Sequence, residues 1–213
     1  EVNPRIRIIG VQMASIASMK ASRDAGAVTT LEPATTLADG IAVKRPGDIT
    51  FPLVQKYVDD IVTVDDEEIA NAILLLLERE KTVVEGAGAA PLAALLNRKI
   101  PKAEGKKVGV ILTGGNIDVN TLSRIIERGL VKDGRLVRLH VKLPDRPGAL
   151  ARFTSAVAEQ RANVLEIYHN RAFSRSALGE TEVELTLETR GPEHIQGLKK
   201  FLESRGYSVR EEL

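Results

Sequence analysis

A mainly parallel α/β layer followed by a ferredoxin-like α+β unit is the fold class this sequence predicts, on three observations. Short β-branched apolar runs alternate with helix-forming segments as far as Gly134, the mark of strands buried on both faces in an α/β layer. After Gly134 polar and apolar residues alternate, the rhythm of half-buried strands. The later segment reads strand, helix, strand, strand, helix, strand, the βαββαβ order, within roughly eighty residues.

The elements follow in order. Ile6 to Val11, Ile61 to Val64 and Val108 to Leu112 are the buried strands of the first part. Asp65-Asp66-Glu67-Glu68 then opens a helix over Ile69 to Leu77 and on through Glu80. Acids at a helix start cap it and complement its dipole. A second helix covers Ala89 to Asn97 with Pro91 in its first turn, where a missing N–H costs nothing. A third covers Val119 to Val131 and stops at Lys132-Asp133-Gly134. In the second part Arg135 to Leu143 is a strand, Pro147 opens a helix to about Arg161, and Val164 to Arg171 and Thr181 to Thr189 are strands joined through Ser174 to Gly179. Ile195 to Leu202 is an amphipathic helix stopped at Gly206, and Tyr207 to Arg210 closes the sheet. The expected domains are therefore 1–134 and 135–213, divided where the periodicity changes at the Asp133-Gly134 turn.

Composition excludes several classes. The 213 residues are 43% hydrophobic and 28% charged, enough for a real core. Thirty basic against 29 acidic residues leave a net charge of +1, so no global field recruits nucleic acid or an anionic membrane. With no cysteine there is no disulfide, thiolate nucleophile or iron–sulfur cluster. No apolar run reaches the roughly 18 residues of a membrane helix, and Glu1 to Arg5 show neither a start methionine nor a signal-peptide pattern. A cytoplasmic chain that opens within a longer protein is expected.

The strongest chemical feature is Leu112-Thr113-Gly114-Gly115-Asn116, between a buried strand and a helix. Glycines at a strand's carboxyl end let backbone approach a ligand, and open α/β sheets bind ligands there. A plain strand-to-helix turn accounts for the same residues equally well. Glu85-Gly86-Ala87-Gly88-Ala89-Ala90 begins like a dinucleotide fingerprint, but the third glycine would fall at Pro91, so a nicotinamide or flavin site is not expected. Tight helix packing explains its small residues. His140, His169 and His194 lie on separate elements without metal-ligand spacing, and no metal is expected. Pro144-Asp145-Arg146-Pro147-Gly148-Ala149-Leu150 precedes a helix whose free N–H groups suit a carboxylate, with Asp145 as an acceptor for an ammonium group. The alternative is an N-cap at Asp145 and a first-turn proline.

These residues resemble known families. The last eighty or so positions are similar to an ACT domain, through Pro144 to Leu150, the following helix, and Ala162-Asn163-Val164-Leu165. The first 134 resemble the carboxyl-terminal half of the catalytic domain of threonine dehydratases, in the type II pyridoxal-phosphate fold. The segments that carry this are Gly10-Val11-Gln12, Thr36 to Gly47 (TLADGIAVKRPG), Val83 to Ala90 (VVEGAGAA) and Leu112 to Val119 (LTGGNIDV).

The resemblance implies a three-layer parallel-sheet catalytic domain with pyridoxal phosphate as cofactor. It implies that the Thr113 hydroxyl meets the pyridine nitrogen, beside Gly114, that the Ala38-Asp39-Gly40 loop passes near cofactor and substrate, and that Glu85 borders the ring. A neutral hydroxyl leaves that nitrogen unprotonated and suits β-elimination over transamination. The implied reaction is threonine ammonia-lyase, giving 2-oxobutanoate and ammonia in isoleucine biosynthesis or threonine catabolism. The implied effector, isoleucine or valine, would sit on Asp145, Arg146, Pro147, Gly148, Ala149, Leu150, Asn163 and Val164, in a homo-oligomer joined through ACT domains. Family enzymes place the Schiff-base lysine and a glycine-rich phosphate loop upstream of these segments. Neither motif occurs here, so this chain alone has no expected catalytic residue and is expected to be inactive. Serine or hydroxyaspartate is an alternative substrate. A stand-alone amino-acid sensor with a vestigial lyase half is the alternative from another class.

Overall fold

A computed structural model describes residues 3, 5–170 and 177–212, and the chain divides into two units, Glu1–Ile125 and Ile126–Leu213. In the first, β1 (Ile9–Met13) pairs parallel with β2 (Asp60–Val64), Ile9 opposite Asp60 and Met13 opposite Val64. A parallel pair needs a crossover. It is made by α1 (Ser18–Ala25) and α2 (Thr50–Tyr57). Behind β2, α3 (Asp66–Leu75) widens into a π turn over Leu76–Glu80, and α4 (Gly86–Leu96) packs beside it. Met13, Ile16, Val64, Ile69, Ile73, Ala89, Ala90 and Ala93 form the core between these elements, all almost fully buried. The alanines of α4 let that helix lie close to α3.

The acid run does two jobs at the start of α3. Asp65 is the N-cap: its Oδ1 accepts from the Glu68 N–H at 2.8 Å, and Glu68 Oε2 accepts from the Asp65 N–H at 3.0 Å. This reciprocal capping box satisfies two otherwise orphaned donors. Asp65→Ala is expected to cost about 1 kcal/mol in a thermal or denaturant melt of the chain.

Two expectations fail in this unit. Val108 to Leu112, an apolar run that reads as a buried strand, is irregular and carries no ladder hydrogen bonds among the described residues; Ile111 is 75% exposed. A strand is made by its neighbours as much as by its own residues, and neither β1 nor β2 pairs with this run. Pro91 lies six residues into α4 rather than in its first turn, because the helix already starts at Gly86.

α5 (Val119–Lys132) follows, and the division between units falls inside it. The second unit continues with β3 (Leu136–Pro144), α6 (Ala149–Glu159), β4 (Asn163–Asn170), β5 (Glu180–Glu188), α7 (Pro192–Ser204) and β6 (Ser208–Glu211). The antiparallel sheet has the order β4-β5-β3-β6, the ferredoxin-like arrangement of a βαββαβ chain. Val137, Leu139, Val141 and Leu143 of β3 point one way with Val183, Leu185 and Leu187 of β5, onto Phe153, Val157, Leu198 and Leu202 of the two helices. Part of the expected connection from Ser174 to Gly179 lies outside the described residues.

On β3, β5 and the segment after β6, Arg138, His140, Glu182, Glu184 and Glu212 form an ion-pair network. Arg138 reaches Glu184 at 3.2 Å and Glu212 at 3.3 Å, while His140 lies 3.4 Å from Glu212. The His140 hydrogen bond, then Arg138, hold the Glu212 carboxyl below the ordinary glutamate value. A depressed carboxylate contributes above its unfolded pKa and loses that contribution as pH falls through its folded pKa. The midpoint of the Glu212 carboxyl carbon in an NMR titration is expected below that of an unstructured glutamate, and His140→Ala is expected to raise it.

Candidate functional site

Three loops of the first unit meet at the start of α4. Val84 is buried and carries the chain in extended form to Glu85, which precedes the helix with ψ near 165°. The Glu85 N–H donates to the Gly114 carbonyl at 3.2 Å, and Glu85 Oε2 accepts from the Asn116 N–H at 3.3 Å. The one residue therefore holds the TGGN loop at two points, Gly114 and Asn116. Gly114 has φ +75°, and a Cβ there would overlap the Glu85 carboxylate. Gly88 faces the same loop from the helix side: a Cβ on it would overlap the Thr113 carbonyl oxygen and stand 2.9 Å from Val84 Cγ1. The Thr113 side chain is exposed, and its hydroxyl makes no hydrogen bond among the described residues.

The Ala38-Asp39-Gly40 loop closes the third side. It forms a 3₁₀ turn over Asp39–Ile41, and Ala38 is fully buried. A Cβ on Gly40 would lie 3.3 Å from the Ala87 Cβ and 3.8 Å from Glu85 Oε1, and one on Gly86 would overlap the Leu37 carbonyl. Gly40, Glu85, Thr113 and Gly114 thus stand together, as sequence reasoning grouped them. The signals it missed are Asn116, which shares the Glu85 carboxylate, and Asp66, whose acid run reads only as a helix cap.

This wall suits one end of pyridoxal phosphate. Its glycines let the three loops close on one another at the start of α4, and the exposed Thr113 hydroxyl at a loop tip is a neutral group that can meet a ring nitrogen. Among the described residues the contacts that build the wall involve no lysine; Lys20 lies on α1, paired with Asp24 at 3.0 Å. Among the described residues no cluster of three or more His, Asp or Glu could hold a metal ion, and no helix is long and apolar enough to cross a membrane.

The second group of sequence candidates does not assemble within one chain. Asp145, Arg146 and Pro147 form a turn after β3, pinned where the Asp145 N–H donates to the Gly179 carbonyl at 2.8 Å. Gly148, with φ +80°, is the N-cap of α6, so the helix starts at Ala149, two residues later than Pro147 suggests, and Asp145 is not its cap. Leu150 and Val164 pack against the core of the unit. Asn163 stands at the other end of the sheet: it pairs with Glu188 of β5, whereas Pro144 pairs with Glu180. At about 3.3 Å per strand residue, that is roughly 26 Å. Its side-chain amide donates to Glu188 at 3.3 Å.

Comparison with known proteins gives the family. The family model described as pyridoxal-phosphate dependent enzyme matches residues 1–114. The L-threonine ammonia-lyase of Thermotoga maritima is 50% identical over 209 residues, 98% of this chain and 52% of its own length; that of Geobacter sulfurreducens is 51% identical over the same extent. The chain spans about half the length of these curated relatives. Among solved structures, maize serine racemase matches with a TM-score of 0.53 at 37% identity, over 62% of this chain and 41% of that one. Threonine deaminase isoform 2 of Solanum lycopersicum matches with 0.53 at 30% identity, over 59% and 37%. With more than half its residues matched by the family model, among them Gly40, Glu85, Thr113 and Gly114, the chain belongs to the pyridoxal-phosphate dependent enzymes.

Proposed function

We propose that this chain is the carboxyl-terminal portion of a threonine ammonia-lyase, residues 1–134 forming part of its catalytic domain and 135–213 an ACT regulatory domain. The observation that carries the reading is the convergence of Gly40, Glu85, Thr113 and Gly114 at the start of α4. The identity to enzymes named L-threonine ammonia-lyase supports it across both units. When bound, pyridoxal phosphate supplies an electron sink for the loss of the α-proton and β-hydroxyl of threonine, ending in 2-oxobutanoate and ammonia. Thr113 offers its hydroxyl to the ring nitrogen without transferring a full charge. Glu85, held by the Asn116 N–H, fixes the TGGN loop and borders the ring. Gly40 lets its loop lie close to Ala87 and Glu85.

The lysine that attaches the cofactor is assigned to a segment this chain does not carry. Incubating the chain with pyridoxal phosphate and reducing with borohydride is therefore expected to leave no stoichiometric lysine adduct. A single lysine modified one-to-one would overturn the division of the site.

For the regulatory unit we propose isoleucine or valine as effector, bound between two copies. β4 is an edge strand and exposes Leu165, Ile167 and Tyr168. Pairing two β4 edges antiparallel sets the Asn163 end of one sheet beside the Asp145 end of the other, so each copy supplies half of a site. The start of α6 offers N–H groups to a carboxylate; Asp145 and the Asn163 carbonyl accept from the ammonium group. Burying a Val- or Ile-sized side chain contributes about 1.5–3 kcal/mol. Calorimetric titration is expected to show binding of isoleucine or valine and not glycine, to a dimer. Gly148→Val is expected to abolish it, because φ is +80° there and the new Cβ would crowd Arg152 Nη1 at 3.0 Å. Silence toward both ligands in a folded dimer would contradict the assignment.

A further inference from the structure

Asp66 stands in the first turn of α3, where its charge already suits the helix dipole. Its side chain does more than that. Asp66 Oδ1 accepts from the Thr36 hydroxyl at 2.6 Å and from the Leu37 N–H at 2.7 Å, across about thirty residues of chain. Both distances are in the short range of bonds to an ionised acceptor. Thr36 Oγ1 in turn accepts from the Ala38 N–H at 3.2 Å. A chain of hydrogen bonds thus runs from α3 to the first residue of the Ala38-Asp39-Gly40 loop. The other face of that segment is the Leu37 carbonyl that presses on Gly86, next to Glu85.

We propose that Asp66 is a positioning residue: its carboxylate seats the 37–40 loop on the Glu85–Gly86 wall and so sets one side of the cofactor site. The inference rests on the reading of that wall given above. The capping box of α3 uses Asp65 and Glu68 and does not need Asp66. Cap and seat are therefore separable by substitution. Asp66→Ala removes both acceptor bonds. Asp66→Asn keeps an acceptor oxygen in the same place. Thr36→Val keeps the shape and removes the relay.

The test is amide hydrogen exchange on the full chain, with a parallel NMR titration of pyridoxal 5′-phosphate followed at Gly40, Glu85 and Gly114. Asp66→Ala is expected to speed exchange at Leu37 and Ala38 by about tenfold or more, while Ala72 and Ile73 in α3 keep their protection. Thr36→Val reproduces the change at Ala38, and Asp66→Asn restores most of the protection at Leu37. Cofactor affinity is expected to fall several-fold in Asp66→Ala and to recover in Asp66→Asn. Unchanged loop exchange overturns the proposal. So does acceleration spread through α3, which would make Asp66 only a helix-start residue, or unaltered cofactor affinity in a chain whose loop has loosened. If the unsubstituted chain, which carries neither the lysine nor the phosphate loop, shows no shift at Gly40, Glu85 or Gly114, the exchange data alone decide whether Asp66 seats the loop.

Discussion

Gly88→Ala is expected to destabilise the first unit by about 2–3 kcal/mol, although alanine is the better helix former by roughly 1 kcal/mol. The added methyl would overlap the Thr113 carbonyl oxygen and lie 2.8 Å from its carbon and 2.9 Å from Val84 Cγ1. Two of those three atoms are backbone and cannot rotate away, so either α4 or the TGGN loop must shift. The loop is the weaker partner, held through the Glu85–Gly114 and Glu85–Asn116 bonds. Residue-resolved hydrogen exchange should show the loss in α4 and at residues 113–116, with the second unit unaffected. Gly197→Ala supplies the control. It is the same change inside helix α7, where nothing lies within 4 Å of the new Cβ, and it should stabilise by up to about 1 kcal/mol. Equal behaviour of the two variants would show that Gly88 and Thr113 are not in contact.

Thr113→Ala is expected to lower turnover or cofactor affinity of the complete gene product by roughly ten- to hundredfold, the equivalent of one lost hydrogen bond to a buried partner. Folding should hardly change, because the exposed Thr113 side chain makes no hydrogen bond among the described residues. Thr113→Ser keeps the hydroxyl and should retain most of the activity. A substitution that leaves stability intact and removes function separates a ligand contact from a turn former. Unchanged kinetics and cofactor affinity in Thr113→Ala would assign the residue to the turn alone.

The second unit was legible in its residues because alternation is a local property. Val137, Leu139, Val141 and Leu143 fall on one face whatever their partners are, and the sheet uses that face. Val108 to Leu112 shows the limit of such reading. Its apolar run has strand character, yet pairing depends on a neighbouring strand, and the run lies largely exposed. The start of α6 turned on the φ of a single glycine, Gly148, which residue types alone do not reveal beside Pro147. The motifs named Gly40, Glu85, Thr113 and Gly114, but only the folded chain puts them in one place. It equally separates Asn163 from Asp145, because their distance is set by the register of β5 against two strands. Asp66 stayed hidden for a different reason. An acid in a helix's first turn already has a sufficient explanation, and its bonds to Thr36 and Leu37 arise from a fold contact no local pattern encodes.

The most direct test of the account is an initial-rate assay of the complete gene product with threonine, pyridoxal phosphate present, measuring 2-oxobutanoate and ammonia together. Equal amounts of both are expected, formed at a rate that falls when the cofactor is removed and returns when it is restored. Absence of 2-oxobutanoate from threonine in a cofactor-loaded protein, or turnover of serine alone, would contradict it.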